Sequence, residues 1–412
     1  MKKVRLSEIF PLVLIFNFII DFIFYLDEDI KALALFRIIF NISYVGIVVL
    51  KNKKSSHKLF LPLFILLVYS SLLIFFSSDI YSSIIEFVKF SSTLLFLPVS
   101  FYLINSKEKF INFVNGVYPI LILYVGFVII SNIYDVGSNR YSNEGKEIFR
   151  VALGDAKLYA PAFLVGMLPI LIKNNIIKRK KLYTVIGFIN LLLLILTIRR
   201  TAIFIIIFIP FFYYLITGNI KTVITSIFGV CLFLILTFPI IKDQFNSRLS
   251  ERYYLTENDY SYKKEGRFLE LLSVMNLFYK SNNGLYYLFG KDAYNTAGNY
   301  GFYDKERPIH SDYTYVFFCA GFVGLFLYIS IFTNVFLKLK RLRKKINTKI
   351  FNGLYKIYFT LFVLILIIGV SGNIWAITYK SFTFSLLGSF LGLFFSLNKK
   401  PVSRIINLET KS

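Results

Sequence analysis

Long apolar runs separated by short charged segments make up most of this chain. Twelve of these runs have about the length that a helix needs to cross a bilayer, roughly 17–25 residues. We expect spans at residues 9–26, 32–50, 59–76, 84–104, 113–133, 158–172, 182–198, 201–217, 223–241, 313–337, 351–370 and 381–397. The pattern predicts an all-α polytopic membrane protein with about 12 transmembrane helices in a single integral membrane domain over residues 1–412.

The composition agrees with this prediction and excludes an ordinary soluble protein. Of the 412 residues, 56% are hydrophobic and only 17% are charged, whereas soluble domains carry about 25% charged residues. Spans of about 20 residues each consume most of such a chain. Any chemistry must therefore be done by helix ends and loops.

The charges are distributed unequally between the two predicted sides of the membrane. If the N-terminus is cytoplasmic, 26 lysines and arginines fall on the inner side, while 18 of the 23 acidic residues fall on the outer side. Basic residues next to span ends favour the cytoplasmic side. We therefore expect both termini in the cytoplasm. The net charge of +24 then reflects topology and contact with membrane lipids, and we expect no nucleic acid partner.

Cysteine and histidine are too few in this sequence to suggest a metal centre. Both cysteines, Cys231 and Cys319, fall in predicted spans, and the chain has only two histidines. The sequence lacks the Cys and His clusters that hold transition metals. We predict no metal and no cofactor.

Two predicted outward loops, residues 134–157 and 242–312, are longer than the others. In the longer one, Gly266 and Arg267 precede an apolar stripe that predicts an amphipathic helix on the outer membrane surface. The stripe consists of Phe268, Leu271, Leu272, Met275 and Phe278. Asn282 to Gly284 should end the helix. The loop also holds ten of the 29 tyrosines, which suit either an interfacial aromatic belt or contact with carbohydrate.

Three arginines lie at unusual places on the predicted outer side. Arg199 and Arg200 sit between two spans with almost no loop, and Arg267 opens the predicted surface helix. A guanidinium fork binds phosphate oxygens in a bidentate way and keeps its charge, and helix N-termini also favour anions. These arginines therefore fit an anionic group. The alternative is contact with lipid headgroups or with loop carboxylates.

His310 is the one histidine on the predicted outer side, where the long loop meets the next span. An imidazole exchanges its proton near neutral pH, so it is suited to act as general base for a hydroxyl nucleophile. Asp312 is near enough in sequence to orient it, although spacing alone does not establish a contact. The alternative is an interfacial histidine without a catalytic role. Gly321 and Gly324 favour close packing near the outer end of this span.

The run His310-Ser311, nine residues, Gly321-Phe322-Val323-Gly324 resembles the His-[Asn/Ser/Gln]-x9-Gly-x-x-Gly signature of bacterial O-antigen polymerases and O-antigen ligases. Arg199 stands where that family has serine before an arginine and a small residue. The other segments similar to the family, in the family's order, are Arg150–Ala162, Arg200–Ala202, Gly266-Arg267 and Gly290-Lys291-Asp292.

This resemblance implies a metal-independent glycosyltransferase of polysaccharide biosynthesis on the outer face of the bacterial cytoplasmic membrane. Its donor would be an oligosaccharide linked by diphosphate to undecaprenol. Arg200, Arg267 and Arg199 would hold the diphosphate and stabilise its developing charge, while Arg150 would help to bind the donor. His310 would remove the proton from the acceptor hydroxyl during its attack on the anomeric carbon. The resemblance also allows a chain-length regulator protein as a partner.

Three functions stay open at this point, of which a polymerase of O-antigen, capsule or exopolysaccharide is preferred. An O-antigen ligase would transfer the glycan to the lipid A-core of lipopolysaccharide instead. A flippase for lipid-linked oligosaccharides, or another transporter, is the third. Charged residues in or near spans favour that third function, namely Asp21, Arg37, Glu86, Lys89 and Lys356. Transporters place such charges at the bilayer midplane within repeats, whereas the notable basic residues here gather at the outer edge.

Overall fold

Helices are the regular secondary structure of the part of the chain that the structure describes. The computed structural model describes residues 5–26, 30–52, 57–134, 158–197, 199–219, 221–222, 224–225, 242, 266–296, 309–346, 349–372 and 376–398, and none of these residues lies in a strand. In chain order the helices are α1 (Leu6–Leu26), α2 (Lys31–Lys51), α3 (Leu61–Leu73), α4 (Ile80–Leu103), α5 (Lys107–Val117), α6 (Pro119–Ile133), α7 (Tyr159–Lys173), α8 (Lys180–Leu196), α9 (Arg200–Thr217), α10 (Gly266–Lys280), α11 (Leu285–Phe289), α12 (Asp312–Lys345), α13 (Lys349–Ser371) and α14 (Ile377–Asn398). Short 3-10 turns at His57–Leu59 and Ile74–Phe76 flank α3.

Eight helical segments in the described part of the chain are long and apolar enough to cross a membrane. They are Leu6–Phe24, Ala32–Lys51, Ile80–Leu103, Lys107–Ile133, Arg200–Thr217, Asp312–Lys345, Phe351–Val370 and Ile377–Asn398. Each coincides with one of the predicted spans. The expected all-helical, multi-pass membrane protein is therefore confirmed.

The other four predicted spans are not matched in this way. Those at 59–76, 158–172 and 182–198 contain α3, α7 and α8, which have 13 to 17 residues. At 1.5 Å per residue such helices measure about 20–26 Å, less than the roughly 30 Å of a hydrocarbon core. The fourth, at 223–241, lies almost wholly outside the described residues.

The chain divides into two compact units, each of which is described by itself. The first consists of Met1–Arg37, Ser106–Asp259 and Lys349–Leu364, and the second of Ile38–Asn105, Tyr260–Thr348 and Ile365–Ser412. Both units therefore combine segments that are distant in sequence.

The first unit encloses a buried charged network between α1 and α2. Arg37 contacts the Asp21 carboxylate at 2.7 Å through Nη1 and donates to the Asn17 side-chain oxygen at 2.9 Å through Nε. All three side chains are buried. Pairing of this kind is what allows charged groups inside a membrane-spanning bundle. Elsewhere in the unit, α7 packs against both α8 and α9.

The second unit is built around α14, most of whose side chains are buried. This helix packs along α4. Gly388 and Gly392, one turn apart, lie against carbonyl oxygens of α4 at Leu97, Phe101 and Ile104. Small residues at this spacing allow two membrane helices to approach closely. The long helix α12 packs on the same unit and contacts α3, α10, α11 and α14.

A kink at Gly321 interrupts α12 three turns after its start. Gly321 has φ +61° and ψ −163°, which breaks the local helical hydrogen bonding. Two carbonyl groups before the kink find partners outside the helix. The Phe318 oxygen accepts from the Lys291 backbone nitrogen at 2.9 Å, and the Ala320 oxygen accepts from the Tyr69 hydroxyl at 3.0 Å.

The kink is also where α11 meets α12, backbone against backbone. A β-carbon on Gly321 would collide with the main chain of Leu288 and Phe289, and one on Gly290 would lie 2.6 Å from the Ala320 nitrogen. Gly290 has φ +86°, a conformation that glycine adopts without a steric cost. The close packing expected at Gly321 is confirmed, and its partner is the short helix α11.

Candidate functional site

His310 and Glu270 form a chemical pair at the start of α12 in the second unit. The imidazole Nδ1 lies 3.3 Å from Glu270 Oε1. The other carboxylate oxygen, Oε2, accepts from the backbone nitrogens of His310 at 3.1 Å and of Ser311 at 3.3 Å. The Glu270 side chain is fully buried, whereas 22% of the His310 side chain is exposed. A buried carboxylate thus holds a partly accessible imidazole through both its ring and its backbone.

Glu270 reaches this position because it lies on the buried face of α10. Glu270, Val274 and Phe278 recur every four residues, so they occupy one side of the helix, and all three are fully buried. The Phe278 ring packs against that of Phe317 on α12, with their centres 5.2 Å apart. This aromatic contact docks α10 on α12 and brings Glu270 against the residues that precede α12.

The predicted helix is confirmed as α10, and its buried face coincides only in part with the apolar stripe. The helix spans Gly266–Lys280 and ends just before Asn282, which has φ +51°. Met275, which belongs to the apolar stripe, is 43% exposed. The stripe contains apolar residues alone. The real face includes the acidic residue Glu270.

The geometry of the pair suits a histidine that acts as a base. A carboxylate beside Nδ1 favours the tautomer that carries its proton on Nδ1, and the lone pair of Nε2 is then available to accept a proton. A neighbouring carboxylate also stabilises the imidazolium that forms when Nε2 is protonated. The two residues can therefore take a proton from a hydroxyl group that reaches the start of α12.

Asp312, which the sequence offered as a partner for His310, is used differently. Its carboxylate is paired with the Lys380 ammonium group of α14 and accepts from the Tyr328 hydroxyl at 3.5 Å. The side chains of Asp312 and Lys380 are 2% and 1% exposed. Ser311 caps the helix by accepting from the Thr314 nitrogen, so Asp312 is already the first helical residue and lies inside the unit. Glu270 takes the place beside His310.

Asp292 fastens the loop between α11 and α12 to the start of α4. Its carboxylate accepts from the Ser77 hydroxyl at 2.5 Å, from the Ser78 backbone nitrogen at 3.2 Å and from the Ser78 hydroxyl. The Asn295 amide donates to the same carboxylate at 3.2 Å. The Gly290-Lys291-Asp292 turn therefore has a structural role, because its hydrogen bonds fix the residues that follow α11.

The described tyrosines of the long loop divide between the interior and the surface. Tyr294 is buried against the ring of Phe90, and this burial raises the pKa of its hydroxyl well above the usual range. Tyr286 and Tyr287 pack against the phenyl ring that anchors α10. Tyr279 is 79% exposed. Among these four, only Tyr279 is placed at the surface, where it suits contact with lipid or sugar.

Arg199 and Arg200 lie at the beginning of α9 in the first unit. Helix α8 ends at Leu196 and α9 begins at Arg200, which confirms the very short connection expected between them. Arg199 occupies the N-cap position, and the Arg200 side chain is exposed. A cation at the positive end of a helix is unfavourable by about 0.3–1 kcal/mol. Helix N-termini also favour anions.

The remaining predicted site residues are described only in part. Arg267 is the second residue of α10, so its backbone lies in the first turn of that helix, and its side chain is outside the described part of the structure. Arg150 also lies outside the described residues. Arg267, Glu270 and His310 belong to the second unit, whereas Arg199 and Arg200 belong to the first.

Comparisons with known proteins place this chain in no family. No protein-family model, no curated protein and no solved structure matches it. A functional conclusion must therefore come from the residues and contacts themselves.

Glu270 is the site residue that the sequence did not single out. Its signal was present in the helical spacing, because positions 270, 274 and 278 lie on one face of a helix. An acidic residue on the same face as Val274 and Phe278 is buried if that face is buried. A buried acid almost always has a partner, and the long loop offers one histidine, His310, for that role.

Replacement of Glu270 by Gln should slow any reaction in which His310 acts as the base, without unfolding the protein. The amide keeps the shape of the side chain and one oxygen that can accept the backbone nitrogens, but it removes the charge beside His310. We expect a loss within the roughly 10²–10⁴-fold that a positioned base contributes. Glu108→Gln, which removes an exposed acid from α5, is the control. An unchanged rate would leave Glu270 as a packing residue only.

Proposed function

We propose that this protein is a membrane glycosyltransferase that polymerises undecaprenyl-diphosphate-linked oligosaccharide units on the outer face of a bacterial cytoplasmic membrane. The single observation that carries the proposal is the buried Glu270 carboxylate beside the partly exposed His310 imidazole, at one end of a helical membrane unit. A dyad of this kind suits removal of a proton from a sugar hydroxyl. The product would be O-antigen, capsule or exopolysaccharide.

In the proposed reaction, His310 accepts the proton of an acceptor hydroxyl at Nε2. The hydroxyl oxygen attacks the anomeric carbon of the donor, and the bond from that carbon to the diphosphate oxygen breaks. Undecaprenyl diphosphate leaves with the bonding electron pair. Arg267, which belongs to the same unit as His310, stabilises the charge that develops on the diphosphate. Arg199, Arg200 and Arg150, which belong to the first unit, keep the role expected from the sequence, namely binding of phosphate oxygens of the donor. The helix N-termini at Arg200 and Arg267 support this assignment, because they also favour anions.

The arginine assignment predicts that geometry matters as well as charge. Lysine keeps the positive charge but cannot bind two phosphate oxygens with one planar group. We therefore expect Arg200→Lys and Arg267→Lys to be impaired almost as much as the alanine variants when polymer is measured at matched expression. Arg343→Lys, a substitution on the opposite predicted side, is the control. Full activity in both site lysine variants would limit these arginines to a general electrostatic role.

We propose twelve spans with both termini in the cytoplasm, so that residues 134–157 and 242–312 face outward. The unequal distribution of basic and acidic residues supports this orientation. In a background without Cys231 and Cys319, a cysteine at the exposed Ser281 should react with an impermeant thiol reagent in spheroplasts, and one at the exposed Lys344 should not. The reverse pattern would contradict the topology and the outward site together.

Two other functions have their own support. An O-antigen ligase would use the same donor chemistry with lipid A-core as the acceptor. A transporter of lipid-linked oligosaccharide is favoured by the Arg37–Asp21 pair, because ionisable groups within spans often mark transport pathways. The His310–Glu270 pair favours an enzyme over a transporter. The His310 side chain is 22% exposed, so a substrate hydroxyl can reach it and give up a proton.

A deletion strain distinguishes these functions. Loss of a polymerase should leave single lipid-linked repeat units on the outer leaflet, where an added glycosidase reaches them in spheroplasts. Loss of a transporter should leave them on the inner leaflet, protected until the membrane is opened. Loss of a ligase should leave long lipid-linked polymer instead of single units. Inner-leaflet accumulation would contradict the proposed enzyme.

A further inference from the structure

The last turns of α12 border a cavity that the proposed reaction does not use. The cavity has a volume of about 270 Å³, and three basic side chains line it: Lys58, Lys338 and Arg341. His310 precedes the other end of α12, more than 20 residues earlier. At 1.5 Å per residue, the two ends of a helix of that length are at least about 30 Å apart. The cavity and the His310–Glu270 pair are therefore at opposite ends of the second unit.

The fold gathers these cations from two separate segments. Asn334, Lys338 and Arg341 recur at a spacing of four and three residues, so they share one face of α12. The Asn334 amide donates to the Leu59 carbonyl oxygen at 3.2 Å, which fastens the 3-10 turn carrying Lys58 to that face. The cavity is thus a defined feature of the packed unit.

The electrostatics of the cavity call for an anion. None of the described residues that line it is acidic. Lys338 and Arg341, three residues apart on a helix, are neighbouring like charges and repel each other. An anionic group between them and Lys58 would relieve this repulsion and would accept several charge-assisted hydrogen bonds.

The apolar part of the wall indicates which anion. Leu59, Leu337 and Phe395 complete the lining, and the Lys338 ammonium lies 5.8 Å from the centre of the Phe395 ring. Leu337 is 42% exposed on a helix long enough to span the membrane, which is where an acyl chain would pass. A volume near 270 Å³ is slightly below that of small-molecule pockets, roughly 300–1,000 Å³. It suits a headgroup whose tails lie outside.

We propose that this cavity binds the phosphate of an anionic glycerophospholipid on the face that we assign to the cytoplasm. Basic pockets between membrane helices on that side are suited to anionic headgroups. The phosphate would lie among Lys58, Lys338 and Arg341, and its glycerol and first acyl carbons against Leu337 and Phe395. The site would anchor the inner end of α12 in the membrane.

Native mass spectrometry of the full-length protein in detergent tests this site. The probes are phosphatidylglycerol, phosphatidylcholine as the zwitterionic lipid, and inorganic phosphate. We expect preferential binding of phosphatidylglycerol, weakened at least about tenfold in the variant Lys338→Gln/Arg341→Gln, as expected for the loss of hydrogen bonds to a charged group. The matched control Lys340→Gln/Lys344→Gln removes the same charge from exposed positions of the same helix that do not line the cavity.

Three outcomes would overturn the proposal. An equal loss of binding in both double variants would assign the lipid preference to the general charge of the helix end. Equal affinity for phosphatidylcholine and phosphatidylglycerol would show that the cavity does not select an anionic headgroup. Competition by inorganic phosphate with the same dependence on Lys338 and Arg341, in place of lipid binding, would make the cavity a site for soluble anions.

Discussion

His310→Ala should abolish polymer formation while the protein accumulates at its normal level. If Nε2 of His310 takes the acceptor proton, its removal should cost roughly 10²–10⁴-fold in rate, which is what a positioned base typically contributes. Folding should survive, because the side chain is partly exposed and Glu270 would still accept from the backbone nitrogens of residues 310 and 311. Polymer formation is measured on a gel of surface glycan from cells. The rate is measured with purified enzyme and lipid-linked substrate.

The second histidine provides the control for this experiment. His57 begins the 3-10 turn before α3, on the side that we assign to the cytoplasm, and His57→Ala should leave polymer unchanged. A normal chain-length distribution from His310→Ala at matched expression would refute the catalytic role.

The main features of the fold could be predicted from hydrophobicity because the membrane makes strong demands on each span. A run of about 20 apolar residues has few alternatives to a helix in a bilayer. Helix α7 has only 15 residues because the predicted span at 158–172 is itself only 15 residues long, and the helix covers nearly all of it. The kink at Gly321 was not predictable in detail, since it depends on the approach of α11 from another part of the loop.

The site could be predicted only up to the choice of partners. The outward histidine and the arginines at helix starts follow from residue type and local spacing. The partner of His310 does not, because the long loop holds ten acidic residues and only tertiary packing selects Glu270, which lies 40 residues before the histidine, over Asp312. Phe278 docks α10 so that Glu270 faces His310. The carboxylate of Asp312 is instead paired with the buried Lys380, which lies 68 residues away in sequence.

The Asp312–Lys380 pair should be the most sensitive point for stability at this end of α12. Both side chains are almost completely buried, so removing either charge leaves the other without its partner in a low-dielectric surrounding. Breaking such a pair typically costs about 3–5 kcal/mol. We therefore expect Asp312→Asn and Lys380→Met each to lower the melting temperature in detergent strongly, measured by fluorescence-detected gel filtration after heating.

The double variant Asp312→Asn/Lys380→Met should recover much of this loss, because it removes both buried charges together. The Glu86–Lys89 pair on α4 is the comparison, since both of its side chains are about 30% exposed. Lys89→Met should cost no more than about 1 kcal/mol, as for other solvated pairs. Losses that simply add in the double variant would show that Asp312 and Lys380 are not coupled. Coupling would instead mean that α14 fixes the start of α12, two residues after His310, and so positions the proposed base.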